Sequence, residues 1–140
     1  MIGCLAFVVL GGAIAACGVG GIFMLGLNSH ADQAESAGVE FGRGADQVGC
    51  RDEALRRLRA ATRAHDVIKR RETQLFLNGC FQTSRATPGF CADAPKEDAF
   101  FSVRQWSQEQ CQKTGAGGDD VCVSLFMEVS DTCLGKTKKK

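Results

Sequence analysis

The chain has 140 residues and eight cysteines, with 17 Lys and Arg against 16 Asp and Glu. That length holds one domain, and removing a terminal hydrophobic segment leaves little more than a hundred residues to fold in water, too few for a large core. Six cysteines after Asn28 disfavour a reducing cytosol, and the net charge of +1 hides a segregation into an acidic stretch, an arginine-rich stretch, a second acidic stretch and a lysine tail.

From Ile2 to Leu27 there is no charged residue. A helix of that length reaches about 39 Å, more than a hydrocarbon core of about 30 Å. A cleaved signal peptide carries a basic start and an apolar run of about 7 to 15 residues, and neither feature is present, so the segment is expected to be a retained single-pass transmembrane helix. Two processing routes compete with it: release after Ser29-His30-Ala31, or acylation of Cys17 in Ile14-Ala15-Ala16-Cys17, which looks like a bacterial lipobox. Arg43 is the sole Lys or Arg just beyond the span, which leaves the carboxyl side free to translocate. Gly12, Ala16 and Gly20 recur every four residues, the small-xxx-small pattern through which membrane helices approach closely. They are the expected contact with a protein partner or a second copy of the chain.

Residues 28–49 are glycine-rich, polar and without sustained periodicity, and are expected to form a flexible linker. From Arg51, the residues Leu55, Leu58, Ala61, Thr62, His65, Ile68 and Leu75 recur at three- and four-residue steps, predicting one amphipathic helix that stops at Asn78-Gly79. Arg56, Arg57, Arg59, Arg63, Lys69, Arg70 and Arg71 form its basic face, a candidate contact for anionic lipid or an acidic partner. No base-stacking aromatics interleave these residues, so nucleic acid is not expected.

Thr87-Pro88-Gly89 marks a loop between Cys80 and Cys91. Asp93 with Pro95 is expected to open a second helix that buries Ala99, Phe100, Val103 and Trp106, with Phe101 also in the core, and Gly115 to Gly118 ends it. Asp119 and Asp120 open a third, whose stripe is Cys122, Leu125, Phe126, Val129 and Cys133, closed by Gly135. The expected fold is therefore all-α: a transmembrane helix over 2–27, a linker over 28–49, a disulfide-stapled three-helix domain over 50–135, and a basic tail over 136–140.

Cys50, Cys80, Cys91, Cys111, Cys122 and Cys133 are the disulfide candidates, and Cys111 with Cys122, flanking one tight loop, is the best single pair. An up-down-up bundle leaves three cysteines at each end, an odd number, so either the first helix bends or one cysteine from each end is free or intermolecular. Helical-hairpin domains with paired cysteines have nine intervening residues where this chain has ten, and no family is assigned.

The sequence offers no CxxC pair, no haem attachment motif and only His30 and His65 as imidazoles. No serine sits in a nucleophile elbow, and the glycine run lacks the Lys-Ser/Thr of a phosphate loop. No catalytic residue, metal, cofactor or small-molecule substrate is expected. Thiol-disulfide exchange is the one enzymatic class the cysteines keep open. The expected function is a non-enzymatic interaction or accessory module held on the extracytoplasmic side of a membrane, with a released or lipidated binding protein as the alternative.

Overall fold

A computed structural model describes residues 16–136, with side chains from His30 onward. Five helices follow one another: α1 (Ala16–Gly44), α2 (Gln47–Arg63), α3 (Val67–Thr83), α4 (Phe100–Lys113) and α5 (Asp120–Cys133). Among the described residues there is no strand, only an isolated bridge between Asp46 and Arg85 that ties the α1–α2 joint to the chain leaving α3. Most of the anticipated transmembrane segment precedes Ala16 and lies outside the described residues, as does the tail beyond Lys136. No described helix is long and apolar enough to cross a membrane.

The expected linker is instead helical as far as Gly44, and α1 packs along α3. The cause is a row of small residues invisible to a search for apolar periodicity. A Cβ on Gly38 would collide with the backbone oxygen of Phe76, and one on Gly79 with that of Glu35. Missing side chains on both helices let the backbones touch, and Thr83 donates to the carbonyl of Val39 at 2.8 Å across the seam. Glycine here favours packing over local helix propensity.

The single helix anticipated from Arg51 to Leu75 is two. His65 sits between them in the left-handed region at φ 52°, and Asp66 caps α3 by accepting from the amide of Lys69 at 2.9 Å. The chain reverses there, so α2 and α3 form an antiparallel hairpin. The reversal brings Cys50, near the start of α2, to Cys80, near the end of α3, and resolves the odd number of cysteines expected at each end.

Helix α3 is the hub, touching α1, α2 and α5, and buries Thr73, Phe76, Leu77, Gly79, Cys80, Phe81 and Gln82. It runs parallel to α1, with His30 beside Glu72, and parallel to α5, with Arg70 on Asp119 and Asn78 on Glu128. Leu55, Leu58, Leu125, Phe126 and Val129 complete the core around it. Burying five such side chains contributes about 1.5–3 kcal/mol each, offset largely by chain entropy.

The second anticipated helix starts later than Asp93. Residues 84–99 form an irregular strap pinned by Phe90 against Phe81, ring centroids 5.9 Å apart, and α4 begins after Ala99 without a side-chain cap. Phe100 and Phe101, assigned to the core by periodicity, are 56% and 84% exposed and stack edge to face on one another. Trp106 does pack inward, on Phe126. Asp119 caps α5 by accepting from the amides of Val121 and Cys122, as its position predicted.

The disulfides are Cys50–Cys80, Cys91–Cys133 and Cys111–Cys122, with Cα separations of 5.8, 5.5 and 6.0 Å. They staple the α2–α3 hairpin, the strap to the end of α5, and the α4–α5 hairpin. Three bridges in a domain this small belong to an oxidising setting, extracytoplasmic or secreted.

Candidate functional site

Helices α1 and α2 both rest on α3 but barely touch each other, which leaves a groove between them. Its floor is alanine: Ala34 and Ala37 from α1, Ala60, Ala61 and Ala64 from α2, with Phe76 of α3 at its base. The volume is about 490 Å³. Arg56 and Arg57 of α2 and Lys69 of α3 also line it, as do His30 and Glu72, 3.6 Å apart.

Glu53 organises the arginines. It accepts from Arg56 through both carboxylate oxygens at 2.7 Å and from Arg57 at 2.9 Å. The Arg56 hydrogen bond chiefly, with help from Arg57 and against partial burial, pulls its carboxyl down to about 2. The Arg57 guanidinium also lies 3.7 Å from the centroid of the Phe76 ring, a cation–π contact that fixes the groove wall.

No protein-family model, curated protein or solved structure matches the chain. The site is therefore read from its own chemistry. Among the described residues no His, Cys, Asp or Glu side chains cluster in threes as metal ligands. The groove presents small apolar residues, with Arg56, Arg57 and Lys69 against Glu72 among the charged side chains that line it.

The anticipated basic face is divided by the chain reversal. Arg56, Arg57 and Lys69 border the groove, while Arg59 and Arg63 line a separate hollow of about 340 Å³ against Gly115 to Gly117. Arg70 is drawn inward to Asp119 at 3.0 Å, and Arg71 is exposed. His65, expected on the apolar stripe, is exposed at the helix break. Of the small-residue row, Gly12 lies outside the described residues, and Ala16 and Gly20, like the acylation candidate Cys17, fall in the first turns of α1, ahead of the described side chains.

Sequence reasoning placed Ala61 on the apolar stripe but gave no role to Glu53, Glu72 or the other four alanines. The spacing of Ala60 and Ala64, and of Ala34, Gly38 and Gly42, is the same four-residue repeat noticed nearer the amino terminus. A search for small residues carried past Leu27 would have found both the α1–α3 seam and part of the groove floor.

Proposed function

We propose that the chain is a single-pass, membrane-anchored interaction or accessory module that acts by binding, with its disulfide-stapled domain on the extracytoplasmic side. The observation that carries this reading is the alanine-floored groove between α1 and α2, whose small side chains allow an apolar partner surface to approach closely and whose lining carries charges of both signs. The uncharged run Ile2 to Leu27 supplies the anchor, and its Gly12, Ala16 and Gly20 row supplies a second contact within the bilayer. Because α1 passes from that run into the domain as one helix, the groove is held at a defined height rather than on a loose stalk.

The test is site-specific photocrosslinking of the full chain in its native membrane. A crosslinker at Ala37 or Ala60 is expected to trap one discrete partner, one at Gln108 on the far side none, and Ala60→Leu is expected to abolish the adduct without shifting the melting midpoint. Adducts equally strong at Gln108, or indifferent to the leucine, overturn the groove as the binding surface. The mass of the native amino terminus tests the anchor: a start at Asp32 or an acylated Cys17 replaces it with a released or lipidated binding protein.

A further inference from the structure

The α2–α3 turn carries two large aliphatic side chains in water. Val67 and Ile68 open α3 at 72% and 57% exposure, although the core of this small domain is well filled elsewhere. Around them, residues 63–71 hold Arg63, Lys69, Arg70 and Arg71 against the single acid Asp66. Arg70 is engaged by Asp119, and Asp66 is engaged as the α3 cap and by Lys69 at 3.7 Å. Arg63, Lys69 and Arg71 remain exposed beside the aliphatic pair.

The height of this turn follows from the parallel packing of α1 and α3. His30 lies level with Glu72, an offset of 42 residues. The same offset relates Gly79 to residue 37, midway between Glu35 and Val39, the two residues whose backbone Gly79 meets. Carried five positions back along both helices, about 7.5 Å, it sets Val67 and Ile68 level with residues 25 and 26. Those two residues immediately precede Leu27, the end of the uncharged run.

We propose that the α2–α3 turn is a membrane-docking surface: Val67 and Ile68 enter the interface of the anchoring bilayer while Arg63, Lys69 and Arg71 meet anionic phospholipid headgroups. This rests on the anchor reading and adds the orientation of the domain. The aliphatic pair provides a short-range hydrophobic contact, and each cation near an anionic surface strengthens the contact about fivefold at moderate salt. Asp120 and Asp32, exposed acids toward this pole, oppose it, as does Asp66 within the turn. Phe100, Phe101 and Lys136 sit at the opposite end of α5, beside the strap, and face away from the bilayer in this orientation.

Trp106 is the only tryptophan, so a Trp106→Phe background is dark and accepts a reporter. The full chain carrying Ile68→Trp is reconstituted into vesicles of phosphatidylcholine and phosphatidylglycerol with brominated acyl chains. Strong quenching is expected at position 68 and none for Phe101→Trp. Quenching at 68 is expected to weaken in pure phosphatidylcholine and to be lost with Arg63→Glu, Lys69→Glu and Arg71→Glu together, while the protein still floats with the vesicles after a carbonate wash. Flotation without quenching at 68, or quenching equal at 68 and 101, overturns the docking surface and leaves the anchor standing. Loss of flotation for the parent chain overturns the anchor itself, and the orientation with it.

Discussion

Glu53 and Glu128 show how two carboxyls of one type are pushed in opposite directions by their neighbours. Glu53 is held near 2 by the arginines, so it contributes stability above its ordinary 4.5 that is lost as pH falls toward 2. Glu128 is raised, mainly by burial against the hydrogen bond it accepts from Asn78, with Asp131 adding repulsion. Its contribution runs the other way: present at low pH and lost as pH rises through the elevated value. Glu53→Gln is expected to lower the neutral-pH melting midpoint and to flatten the acid limb between pH 4.5 and 2, and Glu128→Gln to raise the neutral-pH midpoint. Melting curves across pH check both, and matching profiles for the two variants refute the assignment. The sequence reading had named the arginines without Glu53, because i, i+3 and i, i+4 pairing matters only once a helix face is known to be shared.

At the scale of elements, the seam between α1 and α3 depends on glycines that do different work. Gly38→Ala sets a methyl against the Phe76 carbonyl, a backbone atom that cannot swing aside, and is expected to cost about 1–3 kcal/mol or to detach α1. Gly44→Ala meets nothing within 4 Å and lies in a helix, so it is expected to stabilise by about 0.4–1 kcal/mol through the unfolded chain. Denaturant titration of the two variants gives the comparison, and destabilisation by both to the same degree contradicts the close approach. The helix signals at Asp119 and Gly135 were legible because capping is local chemistry. The reversal at His65 was not, because the apolar spacing of Leu55, Leu58 and Ile68 continues across it and mimics one helix.

For the whole molecule, the three disulfides divide the work unequally. Cys91–Cys133 closes 42 residues and holds the strap on α5, while Cys111–Cys122 closes 11 within one hairpin. Chain entropy gives the longer closure about 4 kcal/mol and the shorter about 3. Cys91→Ser with Cys133→Ser is therefore expected to lower the unfolding midpoint strongly while leaving the α2–α3 hairpin bridged, with hydrogen exchange rising first over 84–99. Unchanged exchange in that strap shows that Phe90 alone suffices to pin it.

Composition and local pattern by themselves determined an all-helical, oxidised domain, its turn at Gly115 to Gly118 and the pair Cys111–Cys122, because each depends on neighbours close in the chain. The absorption of the expected linker into α1, the reversal that joins Cys50 to Cys80, the exposure of Phe100 and Phe101 and the alanine groove were decided by tertiary structure. These features depend on which backbones approach one another, and a four-residue spacing of glycine or alanine marks a close contact without naming the helix that makes it.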